Sequence, residues 1–183
     1  MNESYNRTLF LYNDGLGSVS FVDAMGTDLT IVNSARVSFG REKTELDQRD
    51  KRLIKYLVEH KHTSTFEHNV ITFKFVVPLF VRSQHHRHRT WSYNEISRRY
   101  TDKNMQFYLP EVFRTQHKSN RQASNPEDLI NPKVWPEDSV LAKSSMTMAD
   151  LLRIRTIDCV GTYNDMIERG ICREQARMVL PQN

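Results

Sequence analysis

Between Asn69 and Val77 the chain alternates apolar and polar residues, with Ile71, Phe73, Phe75 and Val77 on one side. Period-two alternation marks a strand, because successive side chains on an extended backbone point to opposite faces. Pro78 ends the strand, since it has no amide to donate to a ladder. Such a strand needs neighbours to pair with and helices to cover it. Thr8 to Tyr12 and Ser18 to Ala24 read as two short strands separated by a Gly-containing turn, Asn13 to Gly17.

The helices follow from a different period. Asp28 reads as an N-cap, and Leu29, Val32, Ala35 and Arg36 continue at helical spacing to a stop at Gly40. Asp47 to His60 is a second helix with Leu53, Ile54, Leu57 and Val58 on one face. Leu79 to His86 starts another. Gln116 to Ser139 is rich in Asn, Ser, Pro and charge with little periodicity, and reads as a long surface loop or partly disordered insertion. Leu141 to Ile167 has the spacing of a long helix through Met148, Leu151, Leu152, Ile154, Val160 and Tyr163, with Gly170 as its C′ residue. A short helix follows from Arg173 to Leu180, broken by Pro181. These elements give an α+β fold of mixed helices with a small antiparallel-type sheet. The 183 residues suit one domain, with the loop or insertion at about 116–139.

Hydrophobic residues make up 38% of the chain, so its polar excess implies a small core, long solvated segments, or further burial through oligomerisation. No run approaches the ~20 apolar residues of a membrane span. The opening MNESYNRTLF has neither the basic nor the apolar region of a signal peptide. Cys159 and Cys172 form no metal or disulfide pattern, and a reducing cytoplasm is the expected location.

The net charge of +4 is mild, but Arg82, Arg87, Arg89, Arg98 and Arg99 crowd together with His85, His86 and His88, interrupted by Glu95 alone. That concentration favours an anionic partner: a nucleotide phosphate, a nucleic acid or a phosphorylated cofactor. Guanidinium forks match phosphate oxygens bidentately, as lysine does not. On a helix Arg87, His88 and Arg89 would fan about 100° apart and serve different ligands. Asn94, Glu95, Ser97 and Arg99 add directional hydrogen bonding suited to a base edge or a sugar hydroxyl. Metal is disfavoured, because the arginines oppose a divalent ion and no acid or cysteine completes a usual set. Ser97 has no base beside it, since arginine stays protonated, so it reads as a substrate-binding hydroxyl rather than a nucleophile. Trp91, Tyr93 and Tyr100 among these cations define the competing class, a single-stranded nucleic-acid-binding protein.

Arg87-His88-Arg89, seven residues and then Ser97 make up the RHR signature, and by it the chain resembles the flavin-dependent thymidylate synthases. SYNEISRRY (Ser92 to Tyr100) is similar to the family's continuation of that signature. HTSTFEH (His62 to His68) looks like the family's HxSPFEH, with Thr65 in place of proline. NSARVSFG (Asn33 to Gly40) resembles its AARVS block, and REQARMVLP (Arg173 to Pro181) another. Two departures are Ser83, where an arginine commonly precedes the glutamine, and His85, where a tryptophan is usual.

The resemblance implies that Ser38, Ser64, Arg87, His88, Arg89 and Glu95 bind FAD. It implies that Gln84, Arg87, Glu95, Ser97, Arg99 and Arg177 hold dUMP, with the arginines on its phosphate. The implied reaction makes dTMP from dUMP, with methylenetetrahydrofolate giving the methylene and NADPH re-reducing the flavin, in active sites where subunits of a homotetramer meet. The family's polypeptide continues past the block that ends here at Pro181. Its further helical segment supplies flavin contacts and the arginine that polarises the uracil, so no catalytic residue is assigned in this sequence. A second polypeptide carrying that segment is one expected partner. An inactive nucleotide-binding fragment is the alternative outcome.

Overall fold

Local signals set several of the helix boundaries. The structure is a computed structural model describing residues 7–134 and 145–183. Its strands are β1 (Thr8–Phe10), β2 (Ser18–Met25), β3 (Val70–Val76), β4 (Phe113–Gln116), β5 (Ser124–Ile130), β6 (Lys133–Val134) and β7 (Met146–Thr147). Its helices are α1 (Asp28–Arg36), α2 (Gln48–Glu59), α3 (Leu79–His85), α4 (Met148–Glu168) and α5 (Arg173–Ala176), with 3₁₀ turns at Val37–Phe39, Thr63–Thr65 and Arg177–Val179. Caps start the helices. Asp47 accepts from the amides of Arg49 and Asp50, and Thr147 accepts from that of Asp150. Left-handed residues follow two of them, Gly170 at φ +84° after α4 and Lys61 at φ +57° after α2. The α1 cap is Thr27 rather than Asp28, which sits in the first turn where its charge favours the helix dipole.

The described residues form two compact units, one of 7–9 with 18–75 and the other of 10–17 with 76–134 and 145–183. In the first, the sheet order is β1-β2-β3, and α1 packs on α2 through buried Ile31, Val32 and Leu57. Asn69 donates to the Thr27 carbonyl at 3.3 Å, and its carboxamide lies so close to Gly26 that any side chain there would collide with it. The β3 alternation is found as expected, yet Ile71, Phe73 and Phe75 are 56%, 40% and 39% exposed. Among the described residues its apolar side is only partly covered, with Phe73 edge-on to Phe21.

In the second unit, α4 packs against α5 and the 3₁₀ turn after it, with Tyr163 and Ala176 fully buried. The Asn183 carboxamide donates to the Tyr108 carbonyl at 2.8 Å, and the Phe80 amide donates to the Gln182 carbonyl at 3.2 Å.

Three further sequence expectations are corrected here. The expected loop at 116–139 contains β5 and β6. β5 pairs antiparallel with β4, its hairpin tightened by Asn125, which donates to Thr115 Oγ1 at 2.9 Å. Polar side-chain bonds build that hairpin, so hydrophobic alternation could not reveal it. The long helix starts at Met148 instead of Leu141. Met146 and Thr147 before it pair with β6, while residues 141–144, like 135–140, lie outside the described residues. Finally, the helix from Arg173 narrows to a 3₁₀ turn at Arg177, and Leu180 is already extended.

Candidate active site

Apart from Gln84 near the end of α3, each candidate side chain stands on a turn or short irregular segment. In the first unit, Ser38 is exposed on the 3₁₀ turn that follows α1, between Val37 and Phe39, which are 74% and 78% exposed. The neck of that loop is tightly held. The Asn33 side chain mimics a backbone pair with Lys43, donating to its carbonyl and accepting from its amide, both at 2.9 Å. Below them lies Asp50, fully buried, accepting from Arg36 at 2.6 Å, from the Asp47 amide at 3.0 Å and from Lys43. Lys43 first, then the Asp47 amide and Arg36, hold the Asp50 carboxyl below its ordinary range against the opposing effect of burial. Ser64 is exposed on a second 3₁₀ turn. Thr65, where the family has proline, closes that turn by donating its hydroxyl to the His62 carbonyl at 3.0 Å.

The second unit carries the other candidates. Gln84 is in the last turn of α3, which stops at His85, so Arg87, His88 and Arg89 stand in turns and not on a helix as expected. No apolar residue after Val81 continues a stripe that could bury a further helical turn. All three side chains are exposed, and no carboxylate among the described residues pairs with Arg87 or Arg89. Glu95 is not free in the same way, because Arg82 grips both its oxygens through Nε and Nη2. The Ser97 hydroxyl accepts from the Arg99 amide at 3.3 Å and its carbonyl accepts from Tyr100 and Thr101, a turn-forming role with no base in reach.

Two ion pairs tie the turn after Ser97 to the segment leading into Arg177. Arg99 meets Glu174 at 3.6 Å, and Arg173 meets Asp102 at 2.9 Å. The Arg173 guanidinium holds the Asp102 carboxyl below its ordinary range. The structure thus gathers Gln84, the RHR turn, Glu95, Ser97, Arg99 and Arg177 in one unit, whereas Ser38 and Ser64 belong to the other.

Reading the sequence missed the work of two residues. Arg82 counted only as one cation of the basic cluster, and Tyr93 only as an aromatic among cations. Tyr93 directs its hydroxyl at the carbonyls of His85 and His88, at 3.0 and 2.9 Å. A bond from a side chain to a backbone carbonyl leaves no spacing pattern to find.

Comparison with known proteins agrees with the motifs. The family model described as thymidylate synthase complementing protein (Thy1) matches residues 20–183. A flavin-dependent thymidylate synthase of Thermus thermophilus is 44% identical over 167 residues, 91% of this chain and 56% of that protein. One from Kosmotoga olearia is 39% identical over 90% of this chain and 66% of its own length. The chain therefore spans little more than half of its Thermus relative and about two thirds of the other. Among solved structures, the UMP/dUMP methylase PolB from Streptomyces cacaoi bound with 5-Br dUMP superposes with a TM-score of 0.68 at 32% identity. That match covers 89% of this chain and 67% of PolB. By sequence and by fold, this chain belongs to the thymidylate synthase complementing protein (Thy1) family.

Proposed function

We propose that this chain carries the flavin- and nucleotide-binding residues of an enzyme that methylates dUMP to dTMP, with FAD as cofactor and methylenetetrahydrofolate and NADPH as co-substrates. The observation that carries the reading is the pair of exposed guanidiniums, Arg87 and Arg89, at a turn where no carboxylate among the described residues neutralises them. Fixed cations of this kind fit a phosphate-bearing group, since charge-assisted bonds to phosphate offset the repulsion between them. The donor set therefore fits FAD, and when bound the reduced flavin supplies the hydride.

The residues divide the remaining work. Arg87, His88, Arg89 and Glu95 in the second unit are flavin-binding residues, as are Ser38 and Ser64 in the first. Gln84, Ser97 and Glu95 orient the nucleotide, and Arg99 and Arg177 with Arg87 take its phosphate. Arg82 keeps Glu95 oriented and neutralised, so that this carboxylate does not repel an incoming anion. The relatives are named for flavin-dependent thymidylate synthesis, and PolB is described as a UMP/dUMP methylase, which supports the same chemistry.

The chain is further read as self-associating into a homotetramer. Ile71, Phe73 and Phe75 are exposed on one face of β3, and a patch of that kind marks an interaction surface.

Calorimetry with FAD, dUMP and deoxyuridine tests the reading. FAD and dUMP should bind, dUMP should weaken with added salt, and deoxyuridine should bind at least tenfold more weakly. Equal binding of nucleoside and nucleotide overturns the phosphate roles. Preference for single-stranded DNA over the mononucleotide overturns the enzyme reading.

A further inference from the structure

One side chain ties together both ends of the turn that presents Arg87 and His88. After α3 ends, the Arg87 amide donates to the Gln84 carbonyl at 3.2 Å and the His88 amide to the His85 carbonyl at 3.0 Å. Those are the isolated bonds of a turn, with no cooperative helix beyond them. Tyr93 lies farther along the loop and folds back on it. Its hydroxyl is 3.0 Å from the His85 oxygen and 2.9 Å from the His88 oxygen. Its ring lies 4.2 Å from the His86 imidazole with 32° between the planes, while His85 stands edge-on to Trp91 at 4.7 Å. Both ends of the 85–88 turn are therefore tied to one phenolic oxygen, which shares its single proton between them.

We propose that Tyr93 is a positioning residue for the flavin and nucleotide site, its hydroxyl fixing the turn from which Arg87 and His88 reach their ligands. The inference rests on the reading of Arg87 and His88 given above. Two cationic residues separated by one position repel each other, so Arg87 and Arg89 favour a loosened turn when no anion is bound. A tie across the turn removes that freedom before binding and leaves less ordering to be done by the ligand. A phenol suits the task better than lysine or arginine, because it caps carbonyls without adding charge to a cluster that must stay receptive to anions. It is also stiff, with only two side-chain torsions to fix.

The test is Tyr93→Phe in the full chain, which keeps the ring and removes the bond. In the ligand-free protein, amide hydrogen exchange over residues 86–91 should speed up by roughly two- to tenfold, the range expected for loss of one hydrogen bond. The thermal midpoint should stay within a few degrees of wild type. FAD should bind several-fold more weakly, and this loss should shrink in an Arg87→Ala background, because the hydroxyl acts through that arginine.

Unchanged exchange over 86–91 overturns the tie. An equal loss of FAD affinity with and without Arg87 overturns positioning in favour of a general packing role. A wild-type chain that binds no FAD would sink the flavin reading by itself. Faster exchange in Tyr93→Phe would then still support the tie, because that measurement uses no ligand.

Discussion

The loop after α1 and the loop after α3 are both dense in charge, and they treat it in opposite ways. Around residues 36–50 four of the charges, Arg36, Lys43, Asp47 and Asp50, close on one another. Asp50 is buried and accepts from Arg36, Lys43 and the Asp47 amide, and Lys43 reaches Asp47 as well at 2.8 Å. Around residues 86–99 the guanidiniums of Arg87 and Arg89 face solvent without a carboxylate among the described residues. A paired cluster is scaffold, because its charges are neutralised by one another and leave little to attract a charged ligand. An unsatisfied one is a site, because the chain bears the cost of crowded like charge that a ligand can relieve. Composition does not separate the two. Pairing does.

The comparison predicts different failures in the two places. The largest effect should come from Asp50→Ala, which leaves Arg36 and Lys43 facing each other with no carboxylate between them. The thermal midpoint should fall by on the order of 10 °C. A scanning-calorimetry result within a degree of wild type would mean that this loop is not held by its charges. Arg87→Ala should do the reverse, leaving the midpoint nearly unchanged while weakening FAD by roughly tenfold or more, from lost charge-assisted bonds of about 1.5–3 kcal/mol. Equal FAD affinity for the two proteins would break the contrast at its other end.

Acid should sharpen it. The Asp50 carboxyl lies below its ordinary range in the folded chain, held there by Lys43 first, and Lys43 lowers Asp47 too. A carboxylate depressed in the folded state contributes stability that is fully present above the unfolded pKa of ~3.9 and is lost as pH falls below it. Thermal midpoints measured from pH 7 to pH 3 should therefore drop at the acid end, and in Asp50→Asn that acid limb should be shallower. Identical limbs would remove Asp50 from the explanation.

The smallest predicted effect concerns Arg99, which is paired with Glu174 at 3.6 Å with both groups largely exposed. Exposed pairs are worth about 0–1 kcal/mol. Glu174→Gln should accordingly free Arg99 and tighten dUMP by no more than a few-fold, seen by calorimetry. A weakening would place Glu174 on the ligand side of the site.

The sequence alone determined the elements whose signals are local. Alternation marked β3, capping residues and apolar spacing marked α2, and Gly170 marked the end of α4, all within a residue or two. It also determined the family, because the RHR signature and its flanking blocks are strings of particular side chains that need no folding to be recognised. Tertiary structure decided whatever depended on a partner distant in sequence. It turned an expected loop into the β4–β5 hairpin through bonds such as Asn125 to Thr115. It moved Arg87–Arg89 off a helix and set Tyr93 beneath their turn. It paired Glu95 with Arg82 and buried Asp50 against one cation from the end of α1 and one from within the loop. The physical reason is the reach of each interaction. Backbone propensity and periodicity act over a few residues and leave a repeating trace in the sequence. A side-chain bond spanning 5 to 14 residues, as these do, has no period, and exists only once the chain has brought its two ends together.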